Sequence, residues 1–200
     1  MALSPHGCTY LIDRRDVVRS VSSSWVLFAR SNDAQHLDRN NVVGRSLWEF
    51  VAGERVRAIY LKLLQRVRRH GESLIVPFRC DSPNCRRDMQ LSLRPRAHGE
   101  VLFASQMIRS LPRETLTMPF ISLGQASDSR PMCSFCLRIL QVGQGWLELD
   151  EIAGHVAASG AKLEHGVCPK CEQLAKVFLI DHRVGSGPIA YRPPGHISAG

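Results

Sequence analysis

The rhythm of apolar positions changes several times along the chain. Thr9-Tyr-Leu-Ile12 is a short apolar run closed by Asp13, and Val17 to Val21 is a second; both predict strands, with residues 13–16 as the turn between them. Ser22-Ser-Ser24 offers capping hydroxyls ahead of Trp25, Leu27, Phe28 and Ala29, which predicts a short helix. Residues 31–41 are polar and rich in Asn and Asp, hence loop, and Leu47-Trp-Glu-Phe50 reads as one helical turn with its aromatics inward. From Glu54 to His70, apolar residues at Val56, Ile59, Tyr60, Leu63, Leu64 and Val67 keep the spacing of one buried helical stripe. Arg55, Lys62, Arg66 and Arg69 are assigned to the exposed face, and Gly71 to the stop. The period then drops to two. Ser73 to Cys80, Met89 to Arg96 and Glu100 to Ser110 read as strands, the second alternating Met89, Leu91 and Leu93 with Gln90, Ser92 and Arg94. Ala97-His-Gly99 is a tight turn between the last two.

Residues 112–130 hold Pro112, Pro119 and Gly124 among Ser and Thr and read as a linker, with Leu116, Met118, Phe120, Ile121 and Leu123 apolar enough to dock. Beyond it, Leu137-Arg-Ile-Leu140 and Gly145-Trp-Leu-Glu-Leu149 predict a hairpin around Gly143. Asp150 is placed as the cap of a helix over 151–158, and Pro169 as the first residue of another over 169–181. Trp146, Leu174, Val177 and Phe178 are the expected small core of this half. Gly185 to Gly200 is rich in Gly, Pro and Ser, so 183–200 is expected to be a disordered tail.

Seven cysteines change the picture, because four are paired. Cys133-Ser-Phe-Cys136 and Cys168-Pro-Lys-Cys171 are two C-x2-C knuckles separated by 31 residues. Two intervening residues let one turn aim both sulfurs at a point, and two knuckles supply the four thiolates of a structural zinc site. Cys133, Cys136, Cys168 and Cys171 are therefore the candidate ligands, and the gap must hold structure of its own. His165, ahead of the second knuckle, is a candidate supporting residue that hydrogen-bonds a sulfur, since four thiolates already fill the shell. The rival readings are two disulfides, a redox C-x2-C, and four unrelated buried thiols. Cys80 and Cys85 flank Asp-Ser-Pro-Asn turn chemistry at a hairpin tip, either as a metal pair or as oxidisable thiols beside arginines.

Composition narrows the class. With 44% hydrophobic and 22% charged residues the chain is an ordinary globular one, and no apolar run reaches membrane-span length. The first ten residues lack a secretory layout, so a cytoplasmic location is expected, where thiols and metal ligands outnumber disulfides. The net charge of +8 is uneven: residues 1–111 carry 18 Lys/Arg against 10 Asp/Glu, and residues 112–200 carry 8 of each. A basic half admits a nucleic-acid partner, but a solvated basic surface explains it as well. His36 and His70 are read as surface histidines, and Trp25, Phe28, Trp48, Phe50 and Tyr60 as core.

The order of elements over residues 9–111 resembles a PAS-type sensor domain. The matching residues are Tyr10-Leu-Ile-Asp13, Trp25 with Phe28, Val43-Gly44-Arg45 ahead of Leu47-Trp48-Glu49-Phe50, then the long helix and three closing strands. Residues 131–181 resemble a cysteine-rich tail found beside bacterial sensor and receiver domains, through Cys133, Cys136, Trp146, His165, Gly166, Cys168, Pro169 and Cys171. The resemblance implies an α+β fold: a five-stranded antiparallel PAS-like sheet with helices on one face, plus a small zinc-stapled α+β module. The expected division is a sensor domain over 1–111, a linker over 112–130, a four-cysteine zinc-binding module over 131–182, and the tail. It implies a bacterial signalling or regulatory protein, not an enzyme, that senses a small-molecule ligand or a signalling partner in a pocket between sheet and helices. Homodimer formation through the PAS-like domain stays open. The alternatives are a zinc-dependent nucleic-acid-binding regulator and a C-x2-C thiol redox protein.

Overall fold

Capping and turn chemistry sets the N-terminal half in the computed structural model, which describes residues 7–32, 34–116, 129–159 and 162–180. Strand β1 (Thr9–Ile12) turns into β2 (Val18–Val21), and helix α1 (Ser23–Ser31) starts where the Ser22 side chain accepts from the Trp25 amide. The loop expected over 31–41 is more ordered than its composition suggests. A single 3-10 turn (Gln35–Leu37) leads into α2 (Arg39–Val42), whose first turn is capped by the Asp38 carboxylate. The Trp25 indole N–H donates to the Leu37 carbonyl at 2.9 Å and fastens α1 to this segment. After a 3-10 turn at Leu47–Glu49 comes α3 (Glu54–His70), ending at Gly71 as expected.

Strands β3 (Leu74–Arg79), β4 (Cys85–Pro95) and β5 (Val101–Pro112) complete a five-stranded antiparallel sheet in the order β2-β1-β5-β4-β3. The α3 stripe of Val56, Ile59, Leu63, Leu64 and Val67 is buried with Val76, Leu91, Leu93 and Phe103 of the sheet. One assignment on this helix is corrected: Arg66 is 6% exposed, not solvent-facing.

The second half forms its own four-stranded sheet, β8-β7-β6-β9. β6 (Ser129–Cys133) pairs antiparallel with β7 (Ile139–Gln141), which pairs with β8 (Gly145–Leu147); α4 (Leu149–Ser159) then crosses to β9 (Lys162–Gly166), parallel to β6. A parallel pair needs such a crossover, and the long gap between knuckles is filled by it. Helix α4 starts earlier than expected. Asp150 lies inside it, and the Glu148 amide donates to the Glu151 carboxylate at its start. Helix α5 (Pro169–Ile180) opens on its proline.

The expected core of this half is also corrected. Leu174 and Val177 are 39% and 47% exposed, and the buried set is Met132, Ile139, Leu149, Ile152, Ala153, Val156 and Leu163. The Phe178 side chain, residues 117–128 of the expected linker and the tail from 183 lie outside the described residues. The knuckles do not sit in that second cluster. Cys133, Phe135, Val167, Cys168 and Ala175 belong to the core of the five-stranded sheet and α3. The start of α3 touches β9 so closely that a Cβ on Gly53, at φ 83°, would lie 2.8 Å from the His165 carbonyl oxygen. Gly53→Ala is expected to cost about 2 kcal/mol in urea unfolding, from conformational strain plus that clash. Gly143→Ala, equally left-handed but with open space around it, should cost about half as much.

Candidate metal centre

Backbone geometry brings the two knuckles together. Parallel pairing sets Cys133 opposite Gly166, so the chain leaves both strands on the same side. The first knuckle is closed by backbone bonds: the Leu137 amide donates to the Cys133 carbonyl at 2.9 Å, and the Ser134 amide to the Gly166 carbonyl at 2.9 Å. Leu137 takes a left-handed φ of 61° to complete the turn. In the second, the Cys171 amide in the first turn of α5 donates to the Cys168 sulfur at 3.4 Å, the role an N-cap oxygen usually fills.

The four ligand sulfurs all lie within 4.8 Å of one another, the one such group of His, Cys, Asp or Glu among the described residues. Cys136 and Cys168 Sγ are 3.6 Å apart. A tetrahedron with zinc–sulfur bonds of about 2.3 Å has edges of about 3.8 Å, so the cage fits a thiophilic ion of that size. Cys133 and Cys168 are buried, while Cys136 and Cys171 are half-buried and give the site its open side.

Crowding sorts the protons. Hydrogen bonding from Cys136, then from Cys168 and Cys171, holds the Cys133 thiol far below its ordinary range. Cys136 is pushed up by Cys133 and Cys168, and Cys171 by Cys133, Cys136 and Cys168. Cys168 settles at about 6, raised by Cys133 but lowered more by Cys136 and Cys171 together. Arg138 stands nearby with its guanidinium on Glu148 at 2.8 Å. Burial opposes its charge, and Glu148, then Cys136 and Cys168, outweigh burial.

His165, expected to hydrogen-bond a sulfur, reaches the first knuckle through the Ser134 hydroxyl: Nδ1 and Ser134 Oγ are 3.0 Å apart, and burial lowers the imidazole pKa, favouring the neutral ring. A Cβ on Gly166 beside it would come 3.2 Å from the Pro131 side chain and 3.7 Å from the Trp146 ring. A polar belt missed in the sequence lies on the other side. The Arg79 amide donates to the Phe135 carbonyl at 2.8 Å, and its guanidinium to the Cys136 carbonyl at 3.3 Å and Glu148 at 2.7 Å. Arg79 and Arg113 both grip Asp81, whose side chain is 0% exposed, and Arg113 also pairs with Asp150. Burial works against the charge on Arg79, and Asp81, then Glu148 and Asp150, more than offset it.

Cys80 and Cys85 do not join the cage. Cys85 Sγ lies 2.9 Å from Ser110 Oγ, and burial pushes the Cys80 thiol up, outweighing Arg87. His36 and His70 are exposed, as read from the sequence. Between α3 and the five-stranded sheet the expected pocket is a cavity of about 50 Å³, against roughly 300 Å³ or more for an organic ligand site.

No protein-family model matches the chain, and neither does any curated protein. Among solved structures, it is similar to the crystal structure of a domain of HTR-like protein from Haloarcula marismortui ATCC 43049, at 17% identity, covering 53% of this chain and 100% of that one, with a TM-score of 0.39.

Proposed function

We propose that the chain is a non-enzymatic bacterial signalling or regulatory protein of reducing cytoplasm, a PAS-like sensor domain joined to a structural zinc module with four cysteine ligands. The observation that carries this reading is the convergence of Cys133, Cys136, Cys168 and Cys171 at the edge of the sensor core. Four sulfurs leave the ion no open position for substrate, which suits a structural role. A thiol oxidoreductase wants its attacking sulfur exposed, whereas here the leading sulfur of each knuckle is buried, Cys133 at 0% and Cys168 at 1% exposed. Against a nucleic-acid interface, several arginines of the basic half are engaged internally. Arg68 binds Asp16 and the Gly99 carbonyl, Arg57 the Trp48 and Val51 carbonyls, and Arg39 the Val21 carbonyl. Among the described residues no helix is long and apolar enough to cross a membrane.

Native mass spectrometry of freshly purified, reduced protein tests the reading. It is expected to show about one zinc per chain, the occupancy of a single tetrahedral site. Substantially less metal, in protein kept reduced throughout, counts against it.

A further inference from the structure

The space between α3 and the sheet has an unusual wall. Val56 and Tyr60 come from α3, Val76, Phe78 and Leu91 from the sheet, and Phe135 from neither. Phe135 sits between two candidate metal ligands, Cys133 and Cys136, yet its ring is buried in the sensor core. It stacks on Tyr60 with centroids 6.3 Å apart, Tyr60 stacks on Phe103 at 6.5 Å, and Phe103 on Tyr10 at 4.5 Å. Tyr10 then meets Trp25 of α1 edge-on at 5.3 Å. A single file of rings thus runs from the first knuckle to the first helix. The backbone on either side of that ring is held by Arg79 at the end of β3, through the Phe135 and Cys136 carbonyls.

We propose that metal loading of the four cysteines is itself the signal this chain reports, and that Phe135 is the reader. Closing a tetrahedron on Cys133 and Cys136 fixes the turn between them and so seats the Phe135 ring against α3 and the sheet. Losing the ion frees that turn, withdraws the ring and enlarges the cavity. An ion can shift this equilibrium only by binding the two arrangements unequally. With the knuckle seated, the second pair of sulfurs, Cys168 and Cys171, lies within 4.8 Å of the first, and withdrawing the knuckle would part the two pairs and weaken the binding of the ion. This inference rests on the zinc reading of the site and adds what the site regulates.

Hydrogen exchange on the full, reduced chain tests it, compared zinc-loaded and after stripping by a strong chelator, with metal content measured in each sample. Stripping is expected to accelerate exchange about tenfold or more in residues 56–64 of α3 and 74–79 of β3, while β1 and β2 keep their protection. Phe135→Leu retains all four sulfurs; it should keep full zinc occupancy and lose most of that difference. A chain that takes up no zinc overturns the functional reading itself. Zinc taken up with unchanged exchange in α3 and β3 overturns this inference alone. Loss of protection across the whole chain, β1 and β2 included, makes the ion a general staple and also overturns it. So does a Phe135→Leu chain that keeps the whole difference.

Discussion

Cys133→Ser is expected to abolish metal retention and unfold the C-terminal half, lowering the melting temperature of the reduced protein by about 10 °C or more, which for a chain of this size corresponds to roughly 4 kcal/mol. The sulfur is fully buried. Serine there is a poor ligand and a buried hydroxyl in a site built for thiolates. Among the described residues this half has a small framework of its own: β7 and β8 are three residues each, and its own cluster is seven buried side chains. In such a module the free energy of metal binding is folding free energy, on the order of 10 kcal/mol for structural zinc near neutral pH. Chelation of the unaltered protein should therefore reproduce the mutant melt. Acid should act in the same direction, because protons compete with the ion for the sulfurs. Cys85→Ser is the control. Its sulfur meets the Ser110 hydroxyl, outside the cage, and its loss should leave zinc occupancy unchanged. A Cys133→Ser chain that keeps one tightly held zinc and the unaltered melt would refute the assignment of ligands.

Much of this site is legible in the sequence, and the exceptions have physical reasons. The paired C-x2-C spacing names all four ligands because each knuckle is a local turn, and α3 is bounded to the residue because one stripe spans its length. Arg66 is misplaced by residue type, not by period. It follows Ile59 by seven positions and Leu63 by three, on the same face, and charge alone sends it to solvent. At α5 the expected Leu174 and Val177 face out, while Cys168 just ahead of the helix and Cys171 and Ala175 within it, spaced three and four apart, run along the side toward the core of the five-stranded sheet and α3. A small residue at a contact gives no hydrophobic signal. The start of β6 reads as linker because Pro131 normally argues against a central strand. β9 has one buried apolar residue, Leu163, and its pairing is with a strand far away in the chain. Long-range parallel pairing has no local signature, and neither does a phenylalanine between two cysteines that belongs to another element's core.

Arg79→Met is expected to destabilise the zinc-loaded chain by about 2 kcal/mol in urea unfolding, because removing one of two guanidiniums from a buried carboxylate leaves its charge only partly compensated. The sequence offers Arg79 only as a flank of hairpin-tip chemistry, yet its side chain is 5% exposed and joins both halves of the molecule. Methionine fills similar space but leaves Asp81, fully buried, with Arg113 as its remaining ion-pair partner. It also removes the side-chain donors to the Cys136 carbonyl and Glu148, while the Arg79 backbone bond to Phe135 survives. The two sulfur pairs stay in place, so zinc should still bind at saturating metal. The comparison is Lys176→Met, which breaks a pair with Glu172 in which both side chains are exposed, 64% and 41%. Solvent screens that pair, and its loss should cost about 1 kcal/mol or less. Raising salt separates the two mechanisms further. The small cost at Lys176 should shrink with ionic strength, and the cost at Arg79 should persist, because a charge shielded from solvent is also shielded from counterions. Equal costs at the two positions would mean that the Arg79–Asp81–Arg113 belt does not couple the metal knuckle to the five-stranded sheet.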